Sequence, residues 1–439
     1  MEPQRQHMEN QTVSVSGLGY IGLPTAALLA SKGYTVLGTD ISQHAVETIN
    51  QGEIHIVEPD LDAYVRSAVA AQRLKAFNTP QPADIYIICV PTPFHDNGEI
   101  PSPNVDHVMS ATRGIAPLLK AGDLVILEST SPVGTTAQMS DVLRDAGVEI
   151  SQIYLAYCPE RVLPGKIMTE LVENDRIVGG LNPDATQKVA SFYRSFVRGQ
   201  VLETDAKTAE MCKLTENSFR DVNIAFANEL SMICNKEGID VWKLIELANH
   251  HPRVNILQPG TGVGGHCIAV DPWFIVARDP KNARLIRTAR EVNDHKTDWV
   301  IDQIKIAVAN AIAKDTKALN DSVNVSAKNS NGESSNADGS KKLRIACLGL
   351  SFKPDIDDLR ESPALKVAET LKSQGFDVVA VEPNIQSHDS LCLTDLDTAM
   401  KSCGVVAILV RHRQFLSPKT QQSLSQVNSL DFCGALQIN

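Results

Sequence analysis

Residues 12–22 read TVSVSGLGYIG. A short strand pattern runs into Gly17, Gly19 and Gly22, and a helical run over residues 24–31 follows. The first glycine allows a tight turn, the second lets the backbone approach a pyrophosphate, and the third permits close helix packing. Tyr20 and Ile21 lie inside this turn. The helix that follows offers unpaired N–H groups and a favourable dipole to phosphates. A second strand pattern, residues 35–39, ends at Asp40. A carboxylate there can bind a ribose diol and repel a 2′-phosphate, which favours NAD over NADP. The stretch predicts a dinucleotide-binding α/β domain.

Outward from it, residues 85–90 (IYIICV), 124–127 (LVIL) and, more weakly, 153–156 read as buried strands. Strands alternating with helical segments imply a parallel, doubly wound sheet. From about residue 208 the pattern turns helical, over 209–235, 240–248 and 283–313. Residues 315–342 are rich in Ser, Asn, Asp and Gly and read as a disordered linker or surface insertion. Strand patterns at 343–348, 378–382 and 405–410, with a helix over 363–375, then build a second α/β unit. The expected fold class is α/β, with two Rossmann-like doubly wound domains joined by a central helical domain that carries a long connecting helix. The expected domains are residues 12–207, 208–314 and 343–439, with the linker at 315–342.

A chain of 439 residues exceeds one ordinary core. A net charge of -11 argues against a nucleic-acid partner. No apolar run of about 18 residues predicts a membrane span, and residues 1–12 do not read as a secretory signal. Nine scattered cysteines without a C-x-x-C pair fit free thiols in a reducing cytoplasm.

Residues 260–272 read GTGVGGHCIAVDP. A loop with four glycines presents Cys267, and Asp271 follows one turn later. The absence of bulk around Cys267 suggests room for a substrate carbon. A dehydrogenase acting on an alcohol needs no nucleophile, but a placed thiol can hold an aldehyde as a thiohemiacetal and allow a second oxidation. A lone cysteine is otherwise an inert core residue. His266 stands beside it as a possible activating base. His250, His251, His266 and Cys267 lack the spacing of metal ligands, so no metal is expected. Lys213 and Asn217, at helical i,i+4 spacing, present polar groups on one face.

Seven motifs in order resemble the UDP-glucose/GDP-mannose family of nucleotide-sugar dehydrogenases: GLGYIGLP (17–24), VPTP (90–93), ESTSPVGT (128–135), YCPERVLPG (157–165), EMCKLTENSFRDVNIAFANEL (210–230), HPRVNILQPGTGVGGHCIAVDP (251–272) and GLSFKPDIDDLRESPA (349–364). The resemblance implies Cys267 as the nucleophile, Lys213 and Asn217 as groups stabilising oxyanions, and Asp271 as the carboxylate of the hydrolysis step. Thr130 would hold a water, and Glu160 would be a general acid/base near the reacting carbon. Thr92 and Thr130 would contact NAD, with Arg360 also placed among the nucleotide contacts. Arg161, Val162, Arg253, Asn255, Gly262, Gly264 and Lys353 would line the sugar-nucleotide site. Many relatives carry a second glutamate four residues after the first; here Pro164 stands there.

The resemblance points to UDP-N-acetyl-D-mannosamine as substrate and to a homodimer, with UDP-N-acetylglucosamine the alternative sugar. A two-electron hydroxyacid-type dehydrogenase and a non-catalytic nucleotide-sugar sensor are the competing readings; neither needs Cys267. For Arg360, an ion pair with Asp357 or Glu361 is the structural alternative to ligand binding.

Overall fold

The structure is a computed structural model that describes residues 11–95, 100–265, 267–326 and 343–436. It divides into two compact units, Met1–Glu216 with Trp273–Asp279, and Asn217–Pro272 with Pro280–Asn439. Among the described residues no helix is long and apolar enough to cross a membrane.

The first unit holds strands β1 (Thr12–Ser16), β2 (Thr35–Thr39), β3 (Leu74–Phe77), β4 (Ile85–Ile88), β5 (Phe94–His95), β6 (Ser102–Pro103), β7 (Leu124–Leu127), β8 (Tyr154–Tyr157), β9 (Arg176–Gly180) and β10 (Val201–Asp205). β5 and β6 form a small hairpin; the others make one sheet in the order β10-β9-β8-β7-β4-β1-β2-β3. Side chains alternate between its two faces. Val13, Val15, Ile85, Ile87 and Ile126 enter one core. Tyr86, Ile88, Val125 and Leu127 enter the other. Strands apolar on both faces are what a helix-covered parallel sheet requires.

The parallel, doubly wound sheet expected from the sequence carries one antiparallel pair. β9 pairs with β8 antiparallel. The chain leaves β8 through a loop and the short helix Ile167–Glu173, then returns beside the strand it left. Antiparallel neighbours need no crossover to the opposite edge.

The second unit contains β11 (Arg344–Leu348), β12 (Asp377–Val381), β13 (Cys392–Leu393), β14 (Val405–Ile408) and β15 (Ser429–Asp431), all parallel, in the order β13-β12-β11-β14-β15. Ile345, Cys347, Val378, Ala380, Val405 and Ala407 pack against Val300, Ile301, Ile304 and Val308 of the long helix Arg284–Ser326. That helix is stitched to the other long helix, Ala206–Glu237, by buried bonds from Arg290 to Asp221 at 2.7 Å and from Asn228 to Asn293 at 2.9 Å.

The Arg284–Ser326 helix continues through residues 315–326, where a linker was expected. Polar composition does not end a helix by itself, and the first Gly or Pro after residue 283 is Gly332. Residues 327–342 lie outside the described residues.

Candidate active site

The three fingerprint glycines are glycines for different reasons. Gly17 has φ +88°, and a Cβ there would sit 2.7 Å from the Cys89 carbonyl oxygen. A Cβ on Gly22 would come 1.8 Å from the Gly17 oxygen. A Cβ on Gly19 would meet nothing within 4 Å. The turn is closed at two positions and open at the third. The helix Gly22–Ser31 begins at Ile21 with no side-chain cap and no acidic residue in its first turn. Its N–H groups and dipole are therefore available to an anion. Tyr20 and Ile21 are half-buried beside the turn. One oxygen of Asp40 accepts the Leu18 N–H at 2.9 Å and the other the Ser42 N–H at 2.8 Å, so the carboxylate that follows β2 also holds the turn. These features fit NAD: an open backbone for the pyrophosphate and a carboxylate for the diol.

At the neighbouring strand ends, Thr92 Oγ1 donates to the Thr130 carbonyl at 2.7 Å, and Ser129 Oγ to that of Val90 at 2.8 Å. The loops after β4 and β7 are thereby tied together beside β1, where the order of the sheet reverses and ligands of such folds bind.

After β8, Glu160 is buried. Its Oε1 accepts the Arg161 N–H at 2.6 Å, and its Oε2 accepts Nη1 of Arg176 at 2.8 Å. Arg161 is itself engaged, pairing with Glu216 at 2.8 Å and donating to the Asp175 carbonyl at 3.0 Å. Val162 packs on the core. The following turn is held by buried Glu58, which accepts the N–H groups of Gly165 and Ile167, each at 2.8 Å. Lys213 is 9% exposed. Three residues before it, Glu210 accepts from Gly134 N, Thr136 N and Thr136 Oγ1 at 2.6–2.8 Å.

In the second unit, Asn217 Nδ2 donates to Asp271 Oδ2 at 2.5 Å, and the Cys267 carbonyl accepts the N–H groups of Val270 and Asp271 at 3.0 and 2.8 Å. Thiol-bearing turn, carboxylate and amide thus come together, with Asp271 opening the helix Asp271–Arg278. His266 lies outside the described residues. Thr130, Glu160 and Lys213 belong to the first unit and Asn217, Cys267 and Asp271 to the second.

Three of the four glycines before Cys267, Gly262, Gly264 and Gly265, serve packing. A Cβ on Gly264 would lie 2.4 Å from the Glu361 oxygen and 2.8 Å from Phe352 Cβ; one on Gly265 would lie 2.9 Å from the Phe352 ring; one on Gly262 would lie 2.5 Å from Thr297 Oγ1. Thr261 Oγ1 donates to the Leu409 carbonyl at 2.7 Å, and Gly265 N to that of Arg360 at 3.2 Å. The loop is pressed onto the C-terminal sheet, and residues without side chains are what fit. Arg253 and Asn255 are exposed and stand apart from these contacts.

Arg360 forms a forked pair with Asp358, at 2.6 to 3.1 Å, rather than with Asp357 or Glu361. Lys353 is half-buried in the same segment, and its carbonyl accepts Ser351 Oγ at 2.8 Å. The sequence reading missed Glu382 and His412. Glu382 follows β12 as Asp40 follows β2, so the signal was there. Its Oε2 accepts Leu350 N at 2.7 Å and lies 3.1 Å from His412 Nε2, while its Oε1 accepts Asn384 N at 3.0 Å. Burial would raise this carboxyl, but bonds from His412, Leu350 and Asn384 hold it below its ordinary value. Asp40 in the first unit meets backbone N–H groups, whereas Glu382 at the matching place in the second also meets a buried histidine.

The dinucleotide cradle and the two α/β domains around a helical middle define a class, the NAD-dependent dehydrogenases with two Rossmann-like domains. Comparison with known proteins narrows it. Residues 11–197 match the NAD binding domain of the UDP-glucose/GDP-mannose dehydrogenase family, residues 207–295 its central domain and residues 346–437 its UDP binding domain. The chain belongs to that family, and its cofactor is NAD. UDP-N-acetyl-D-mannosamine dehydrogenase of Escherichia coli (strain K12) is 53% identical over 423 residues, covering 93% of this chain and 95% of the relative. NDP-N-acetyl-D-galactosaminuronic acid dehydrogenase of Ralstonia nicotianae is 52% identical over 431 residues, covering 95% and 94%. The solved UDP-N-acetyl-mannosamine dehydrogenase of Staphylococcus aureus superposes with a TM-score of 0.82 at 40% identity, covering 98% of this chain and 96% of that one.

Proposed function

We propose that this protein oxidises UDP-N-acetyl-D-mannosamine to UDP-N-acetyl-D-mannosaminuronate, removing four electrons per sugar, for bacterial surface polysaccharide. The observation that carries the sugar is the 53% identity, over 93% of the chain, to the Escherichia coli enzyme of that name. The grouping of Cys267, Asp271 and Asn217 supports the four-electron course.

NAD would supply the hydride acceptor, one molecule for each of the two oxidations. The first takes a hydride from the primary alcohol carbon, and the hydroxyl proton is released as the aldehyde forms. Cys267 Sγ then adds to the aldehyde carbon as the thiol proton passes to the carbonyl oxygen, and the resulting thiohemiacetal releases that proton with the second hydride to become a thioester. Lys213 and Asn217 stabilise the oxyanions. Thr130 orients water, Asp271 takes its proton, and the C–S bond breaks to release carboxylate and thiol. Glu160, Arg161, Val162, Arg253, Asn255, Gly262, Gly264 and Lys353 are read as substrate contacts, and Arg360 as a cofactor contact.

We infer a homodimer. Phe219, Phe226 and Ile233, at heptad spacing on one helix, are 68%, 52% and 51% exposed, a stripe suited to a second helix. A cytoplasmic location is supported by nine cysteines without a bridge.

The test is NADH released per sugar across UDP-ManNAc, UDP-GlcNAc, UDP-GalNAc, UDP-glucose and GDP-mannose. Two NADH per UDP-ManNAc, at the highest kcat/KM of the panel, is expected. Preference for UDP-GalNAc would move the assignment toward the Ralstonia relative.

A further inference from the structure

Buried polar side chains in the first unit connect the cofactor turn to Glu160, and the reaction above leaves them unused. A Cβ on Gly22 would come 3.2 Å from Cys89 Cβ. Cys89 Sγ lies 3.2 Å from Glu128 Oε2, and the Tyr193 hydroxyl donates to Glu128 Oε1 at 2.6 Å. The Arg176 guanidinium sits 5.5 Å from the Tyr193 ring centre, donates to Glu160 at 2.8 Å and to the Leu171 carbonyl at 3.3 Å. Glu128 and Arg176 are each 2% exposed and Glu160 7%.

Two carboxyl groups thus share a water-poor region with one guanidinium. Its bond to a carboxylate goes to Glu160; the partners of Glu128 are a hydroxyl and a thiol. Desolvation favours the protonated form of a buried carboxyl, and here it outweighs the hydrogen bonds from Tyr193 and Cys89, which favour the anion. We propose that Arg176 is a positioning residue that holds Glu160 as an anion for the reaction, and that Glu128 is the neutral acid that leaves this guanidinium undivided.

The surrounding groups agree. Burial raises the Glu128 carboxyl; the Arg176 charge opposes this and the Glu160 charge adds to it. Burial also pushes the Cys158 thiol up to about 12 and raises Cys89 and Tyr193, so all three are neutral near pH 7. The ion pair in this region is that of Arg176 with Glu160, at 2.8 Å.

This inference rests on the reading of Glu160 as a group at the reacting carbon. The test uses the full-length protein with NAD and UDP-ManNAc, and measures kcat, KM and melting temperature for Glu160→Gln, Glu128→Gln, Arg176→Lys, Arg176→Met and the pair Arg176→Met with Glu160→Gln. Glu160→Gln is expected to lower kcat by about a hundredfold. Glu128→Gln should keep wild-type kcat and melting temperature. Arg176→Met should lose as much kcat as Glu160→Gln, and Arg176→Lys should recover part of it. The double variant, with no unpaired charge, should regain melting temperature and not kcat. Recovery of kcat in the double variant, or a loss in Glu128→Gln equal to that in Glu160→Gln, overturns the proposal. If Arg176→Met does not fold, Arg176→Lys decides: a lowered kcat at unchanged KM supports positioning, and wild-type kcat overturns it. Wild-type kcat in Glu160→Gln would remove the reading of Glu160 itself, and the inference with it.

Discussion

The side-chain amide of Asn217 and the carboxylate of Asp271 meet at 2.5 Å, with 7% and 2% of each residue exposed. The same aspartate closes the Cys267 turn through its backbone N–H. Asp271→Asn keeps that shape and removes the charge. It should lower kcat by roughly 10²-fold or more while the melting temperature stays near wild type. Initial NADH rates and thermal melts check this; an active Asp271→Asn enzyme would rule out a proton-accepting role.

Cys267→Ser tests the covalent route. Serine lacks a thiolate, so the second oxidation should fail and NADH per sugar should fall below two. A variant that still made full carboxylate with two NADH would exclude the thiohemiacetal and favour a two-electron type of site acting twice.

Gly19 and Gly22 should respond differently to the same change. The space around Gly19 is open, so Gly19→Ala should fold normally and weaken NAD binding by obstructing the pyrophosphate. Gly22→Ala drives a methyl into the Gly17 carbonyl and should lower stability by at least about 1–3 kcal/mol. Thermal melting and NAD titration separate the two; equal melting temperatures would contradict the packing described.

Lys296 sets a pH dependence of stability. Its ammonium is buried against Ser231 Oγ at 2.7 Å and the Trp299 ring at 4.0 Å, and desolvation brings it down to about 7. The unfolded chain holds this proton more tightly than the folded one. Stability should therefore rise as pH climbs from about 7 toward the ordinary lysine range, with no contribution to the slope below 7. Lys296→Met should remove that rise and melt higher at neutral pH. Melts across pH test it, and an unchanged slope would count against it.

His412, fully buried, accepts the Asp355 N–H on Nδ1 at 2.9 Å and turns Nε2 to Glu382. It holds Asp355 at φ 62° in the segment that carries Lys353. His412→Ala should raise KM for the nucleotide sugar by about tenfold, the scale of one lost buried hydrogen bond, with KM for NAD unchanged. Equal rises in both would point to general loosening.

The sequence by itself determined the dinucleotide turn, most central strands, the long helices and the order of the motifs. Each depends on spacing over a few residues: glycines at fixed offsets, apolar runs long enough to cross a sheet, and helices free of Gly and Pro. The tertiary structure decided the rest. β10 is a largely exposed edge, and β9 ends in glycines that the Asp205 backbone and Thr186 press upon, so neither carried a strand pattern. The glycines before Cys267 looked like room for substrate; Phe352 and Glu361, far away in sequence, make them a packing surface. Arg176 and Glu128 carry no local signal of their own; the fold buries both in the region of Glu160. What a buried charge does is set by the partners that folding brings to it, and local spacing does not record them.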